Sequence, residues 1–309
     1  MTVDRRFRFA TGAFYAPSAG EYAALARKIE DLGYAALLLP DHFNDQLTPF
    51  LALLAAANAT KTLRVGSFVC DNDYRHPAVL AKEAATLDLL TDGRLELGLG
   101  AGYFGPDYAQ TGIPYDAPGV RVSRLIEAVH VINGLFGPTP VTFAGEYYTI
   151  AELDGFPKPV QQPHPPILIA GGVQRILSLA AREADIVGLL MRSRDGALDF
   201  DDDSVAATAE RVEWVRQAAG ARFDDIELNI LVLDVEVTAE RQQGAEQIGR
   251  RWGISGDQVL DSVHFLVGTV DEIVDQLRGW REQLSISYIA VMPHRMDEFA
   301  PVVARLAGT

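Results

Sequence analysis

His42 stands directly after the apolar run Ala35-Ala36-Leu37-Leu38-Leu39, within Pro40-Asp41-His42. An imidazole at the end of a buried strand, beside an acidic neighbour, has the chemistry of a proton carrier near neutral pH. The competing reading is a histidine that caps a turn. Gly171-Gly172-Val173-Gln174 follows a second such run, Ile167-Leu168-Ile169-Ala170. Two glycines between a strand and a helix let the backbone close around a phosphate, with free helix amides pointing at it. The alternative there is a tight turn that needs positive φ. Gly98-Leu99-Gly100-Ala101-Gly102-Tyr103 ends a third run. It departs from a dinucleotide fingerprint, since Pro106 follows soon and no helix is expected at once. It reads instead as a glycine-lined strand end on which a flat ring can pack. His294 is a second pocket candidate, His76 a turn residue at a helix start, and His130 and His164 structural or exposed. The single cysteine, Cys70, reads as a small packing residue, and 199–203 as a solvated acidic loop. No metal-ligand spacing, nucleophile elbow or P-loop occurs.

Each candidate follows an apolar run, so the runs define the scaffold. Strands are predicted over 7–14, 35–39, 63–69, 94–99, 167–170, 186–190, 226–235 and 288–291. Helices are predicted from Ser18, where Glu21 completes a capping box, and over 48–59, 77–90, 120–136, 173–182 and 204–219, with another starting at Thr269 and Glu272. Strands alternating with helices mean a parallel sheet. Eight units in 309 residues favour a closed (β/α)8 TIM barrel, one domain over 1–309, with insertions at its C-terminal face. The insertions are 101–118, 137–166 (a small hairpin excursion) and 191–204. Working residues of such barrels sit just after the strands. That rule selects Asp41-His42, Val69 to Asn72, Gly100 to Tyr103, Gly171 to Gln174, Met191-Arg192 and Pro293-His294.

The formal charge of −15 repels polyphosphate backbones and disfavours nucleic-acid partners. A phosphate-bearing cofactor stays admissible, because helix-start amides can hold one locally. No apolar run approaches the ~20 residues of a membrane span. Met1 to Arg8 is polar and basic with no apolar signal core behind it, so cytoplasmic residence is expected. One cysteine excludes an internal disulfide.

Tyr74-Arg75-His76-Pro77-Ala78-Val79-Leu80-Ala81-Lys82, Ala85-Thr86-Leu87-Asp88 and Gly93 to Gly102 together resemble the bacterial luciferase-like monooxygenase superfamily. Pro165 to Gly172, Ala180 to Val187 and Val267-Gly268-Thr269 add to the resemblance in the family's order. Asp41-His42-Phe43 and the overall spacing look most like its branch that uses the deazaflavin coenzyme F420. The resemblance implies a cofactor ring across the barrel mouth, with Asp41, Gly100, Gly102 and Tyr103 around it. It implies the cofactor phosphate at Ala170, Gly171, Gly172, Val173 and Gln174. It also implies a non-prolyl cis peptide close to Phe68-Val69, and places His42 beside the reactive centre. Tyr103 stands where the branch's sugar-phosphate dehydrogenases have a glutamate, and Gln46 where they have a tryptophan, so their proton scheme and substrate are not carried over. Tyr103 is either a proton donor or a pocket wall. A homodimer is expected by resemblance alone.

Three functions follow from this resemblance. The first is hydride transfer between F420 and a small organic substrate, with His42 trading the proton. The second is a monooxygenase that takes reduced FMN from a partner reductase. The third is a barrel that binds flavin without turnover. Phe14, Phe68, Tyr103 and Met191 point to a non-ionic, partly hydrophobic substrate.

Overall fold

Runs of apolar residues that are buried on both faces have only one stable setting, a parallel sheet covered by helices. In a computed structural model, which describes residues 5–194 and 196–309, eight such strands close into a barrel. They are β1 (Arg8–Thr11), β2 (Ala36–Leu39), β3 (Arg64–Ser67), β4 (Leu95–Gly100), β5 (Ile167–Gly171), β6 (Ile186–Leu189), β7 (Glu227–Val232) and β8 (Ile286–Val291). Each pairs in parallel with the next, and β8 closes on β1 in the register Arg8↔Tyr288 to Thr11↔Val291. All eight fall on the runs predicted from sequence. Residues 1–4, part of the polar start, lie outside the described residues.

Alternation within the strands builds two cores. Leu37 and Leu39 of β2 join the large cluster beneath the helices. Ala36 and Leu38 join Ala10, Leu168, Ala170 and Ala290 inside the barrel. The surrounding helices are α1 (Ala19–Asp31), α2 (Pro49–Ala59), α3 (Pro77–Leu90), α4 (Gly105–Thr111), α5 (Pro118–Phe136), α6 (Gln174–Glu183), α7 (Val205–Ala219), α8 (Arg241–Trp252), α9 (Gly256–Leu260), α10 (Val270–Leu284) and α11 (Met296–Leu306).

Several expectations change in detail. Ser18 accepts from the Glu21 amide at 3.2 Å, but its hydroxyl also donates to the Glu21 carboxylate, so only half a capping box forms. Thr269 and Glu272 do form the complete box. The 63–69 run ends as a strand at Ser67. After a cis Phe68-Val69 bond it resumes as Cys70–Asp71, paired with Leu99 and Gly100. The 226–235 run divides: Asp234–Val237 leaves the barrel and pairs with Phe265–Gly268. The 101–118 segment carries α4, with Pro106 in its first turn, where a missing N–H leaves nothing unsatisfied. The expected hairpin excursion forms from Val141–Ala144 and Thr149–Leu153.

A charged plug seals the N-terminal end of the barrel. Glu96 of β4 is fully buried and accepts from Arg8, from Arg64 Nε at 2.7 Å and from the Tyr288 hydroxyl at 3.0 Å. Burial alone would raise its carboxyl, but Arg8 and Arg64 hold it below its ordinary range. Glu96→Ala leaves Arg8 with Glu227 alone and Arg64 with uncharged oxygens only, and urea unfolding should show a loss of about 3–5 kcal/mol. A loss below about 1 kcal/mol would show that the plug adds nothing.

Candidate active site at the barrel mouth

A cavity of about 510 Å³ opens at the C-terminal ends of the strands. Asp41, His42, Phe68, Val69, Gly100, Gly102, Tyr103, Ala170, Gly171, Gly172 and Val173 all line it. Gln174, the first residue of α6, is not among the lining residues. Sequence reasoning missed Asp107, Gln46 and His264 as site residues; the last two line the cavity as well.

His42 leaves the end of β2, and its Nδ1 lies 2.7 Å from Asp107 Oδ2. Asp107 is buried in α4 and also accepts from the Phe43 amide at 3.3 Å and the Tyr74 hydroxyl at 3.1 Å. A carboxylate only accepts, so it draws the imidazole proton onto Nδ1 and leaves Nε2 as the lone-pair nitrogen. Tyr103 and Phe104 stand edge-on to the ring, with centroids at 6.0 and 5.4 Å, and fix its plane. His42 is thus an oriented imidazole on the cavity wall and not a turn cap. Tyr103 lines the same cavity.

The Asp41 carboxylate turns away to Arg75 Nη1 at 2.5 Å and to the Asp71 amide at 3.3 Å. It braces the loop that carries His42. Gln46 Oε1 is buried with no hydrogen-bond partner among the described residues, an acceptor on the cavity wall.

Gly171 and Gly172 do not have positive φ, so the tight-turn reading fails in that form. Space is the reason for them: a Cβ on Gly172 would lie 2.4 Å from Met191 O. The end of β5 therefore lies flush on the end of β6. Buried Arg211 donates to Gly172 O at 3.3 Å and pairs with Asp202, which holds this shelf from behind. No side chain caps α6 at Val173, so its first amides are free for an anion.

Gly102 has φ +74, and a Cβ there would sit 1.9 Å from Tyr108 Oη and 2.4 Å from Asp71 Oδ2. The Tyr108 hydroxyl lies 2.8 Å from Asp71 and 3.0 Å from Asp73, one proton between two carboxyls. Burial pushes the Asp71 carboxyl up to about 6, against the Asp73 amide and the Tyr108 hydroxyl. The native state then binds more protons than the unfolded one between about pH 4 and 6, so stability falls as pH rises through that window. Asp71→Asn should stabilise the protein at about pH 8 by on the order of 1–3 kcal/mol and change little near about pH 4. Urea midpoints at the two pH values decide this, and an equal shift at both would contradict it.

The other candidates lie elsewhere. His294 is about half exposed and outside the cavity lining, with Nε2 4.0 Å from Asp234. His76 caps α3, its Nδ1 accepting from the Ala78 amide at 3.2 Å. The His164 ring contacts Pro165 O at 2.9 Å. Cys70 is buried and its thiol is pushed up to about 12, as a packing residue should be. The 199–203 segment is not simply solvated: Asp199 pairs with Arg194, Asp202 with Arg211, and Asp203 is buried. Among the described residues no group of three or more side chains could hold a metal ion. None of the helices there is long and apolar enough to cross a membrane.

The pattern of the luciferase-like monooxygenase family matches residues 6–250. An uncharacterized protein of Mycobacterium tuberculosis is 30% identical over 251 residues, covering 81% of this chain and 79% of its own length. A protein of Amycolatopsis mediterranei named F420-dependent glucose-6-phosphate dehydrogenase is 31% identical over 218 residues, covering 68% of this chain and 62% of its own length. Among solved structures, an F420-dependent secondary alcohol dehydrogenase superposes with TM-score 0.76 at 19% identity, covering 98% of this chain and 99% of that one. A long-chain alkane monooxygenase superposes with TM-score 0.77 at 17% identity, covering 98% and 91%. A barrel mouth with an oriented histidine, together with a family match over most of the chain, makes this protein an enzyme, an oxidoreductase belonging to the luciferase-like monooxygenase family.

Proposed function

We propose that this enzyme moves a hydride between the deazaflavin F420 and a small, neutral organic substrate, with His42 carrying the accompanying proton. The observation that carries the reading is His42 held by Asp107, in the same cavity as the shelf and the uncapped start of α6. Two relatives with F420-dependent names, at 31% and 28% identity, support the choice of cofactor.

The residues present fit such a group. The space a Cβ would fill at Gly172 is closed by the chain itself, so backbone alone forms the shelf. The amides of Val173, Gln174 and Arg175 would take the phosphate. Gln46 Oε1 needs a donor, which the polar edge of a flat ring provides. When bound, F420 supplies or accepts the hydride. Phe14, Leu38, Phe68 and Val69 form an apolar wall that excludes water. His42 Nε2 takes the proton of an alcohol or, when protonated, returns it to a carbonyl oxygen.

Two arginines line the cavity. These are Arg121, tied to the Ala101, Gly102 and Asp116 carbonyls, and Arg192, whose Nε is 3.4 Å from Asp202. The neutral substrate is supported by the apolar wall of Phe14, Leu38, Phe68 and Val69, not by these two cations.

The test is a parallel titration of the cofactor-free protein with F420, oxidised FMN and anaerobically reduced FMN, followed by tryptophan fluorescence. Micromolar binding of F420, with FMN much weaker, is expected. A preference for reduced FMN would overturn the reading in favour of a monooxygenase supplied by a partner reductase.

A further inference from the structure

A second histidine lines the same cavity. His264 is 2% exposed, and its Nδ1 lies 2.7 Å from Leu231 O, which fixes the ring proton on that nitrogen. Its Nε2 makes no protein hydrogen bond and stands 3.5 Å from Asp203 Oδ1. Asp203 is equally buried; its Oδ2 accepts from the Ser262 hydroxyl at 2.6 Å, while Oδ1 has no hydrogen-bond partner among the described residues. Ser262 Oγ in turn accepts from the His264 amide at 2.8 Å, so residues 262–264 present both groups that meet Asp203. Arg211, the nearby cation, is committed to Asp202 and Gly172.

With a single ring proton, on Nδ1, two lone pairs face each other across 3.5 Å in a buried wall. Unmatched buried acceptors raise the free energy until a donor reaches them. Leu231 and Leu233, whose backbones bond His264, line the cavity with it, as does Trp252.

We propose that His264, backed by Asp203, is a specificity subsite that receives a hydroxyl group of the substrate. The substrate class is then a neutral molecule with an apolar body, carrying a hydroxyl donor separate from the carbon that reacts at His42. This deepens the function proposed above and rests on the cavity being the substrate site. A site with unpaired acceptors discriminates strongly, because an analogue without the donor leaves them unmatched.

Calorimetric titration of the full chain, without cofactor, tests this with a length series of 2-alkanones and their ω-hydroxy and ω-methoxy counterparts. At the matching length the hydroxy ketone should bind on the order of tenfold tighter than the plain ketone, and the methoxy ketone should not. His264→Phe keeps a ring but removes Nε2, and should erase the preference; Asp203→Asn should reduce it. If Asp203→Asn fails to fold, His264→Phe decides alone. F420 binding, measured on the same preparations, should be unchanged in His264→Phe, which separates this subsite from the cofactor reading. Equal binding of plain and hydroxy ketones would overturn the proposal. So would a methoxy ketone as tight as the hydroxy one, which would mean that the pair holds its own proton and presents a donor.

Discussion

Replacing His42 by asparagine is expected to lower kcat by about 10²–10⁴-fold while F420 binding stays within a few-fold of the parent. Asparagine keeps a polar group near Asp107 but has no basic nitrogen to present to the cavity. The ring it replaces is held by a 2.7 Å contact and by two edge-on aromatic rings, so the variant also loses some stability and its kcat is compared below its own unfolding transition. Steady-state kinetics beside a fluorescence titration read the two effects separately. A variant that keeps near-parental kcat would remove His42 from the chemistry.

Asp107→Asn has nearly as large an expected effect, though Asp107 does not line the cavity and acts as a positioning residue. Its Oδ1 accepts from the Phe43 amide, while Oδ2 faces His42 Nδ1 and the Tyr74 hydroxyl. An asparagine that keeps its oxygen on Phe43 presents an NH₂ to Nδ1 and so moves the imidazole proton to Nε2. The nitrogen facing the cavity then becomes a donor and can no longer accept a proton. A loss in kcat of on the order of 10²–10⁴-fold with KM almost unchanged is expected, by the same logic that makes carboxylate removal costly in other histidine-based sites. Nitrogen NMR of the histidine ring gives the independent readout: Nδ1–H in the parent, Nε2–H in the variant. Asp107→Glu should restore part of kcat. An unchanged tautomer in Asp107→Asn would contradict the positioning role.

The strands were legible because burial on both faces writes itself as short, continuous apolar runs. The rule that barrel chemistry sits after strands then picked out His42, Gly100 to Tyr103 and Gly171 to Val173 without any coordinates. What stayed hidden depends on contacts across the chain. Asp107 is 65 positions from His42 in sequence, and its helix opens with Gly105-Pro106, which reads as a break before it is seen as an N-terminus. His264 precedes Phe265–Gly268, whose pairing with Asp234–Val237 outside the barrel has no local signal. The 226–235 run looks like one strand because its two halves are equally apolar, and only the departure from the barrel separates them. Helix α8 carries two glycines and few apolar residues, and it is stabilised by packing and by Asp234, which binds Arg251 and the Trp252 indole. The glycines at 171 and 172 were legible as a pair, but not their cause, since the neighbours that exclude a Cβ are Ile176 at 171 and Met191, just past the end of β6, at 172.

Mixing the enzyme anaerobically with reduced F420 and a panel of neutral enones, imines and hydroxy ketones addresses the proposed hydride transfer most directly. Return of the oxidised cofactor's absorbance, dependent on the organic acceptor, equal with and without oxygen and lost in His42→Asn, is the predicted result. Silence with every acceptor, together with oxygen consumption once reduced FMN is supplied, would contradict hydride transfer and identify an oxygenase.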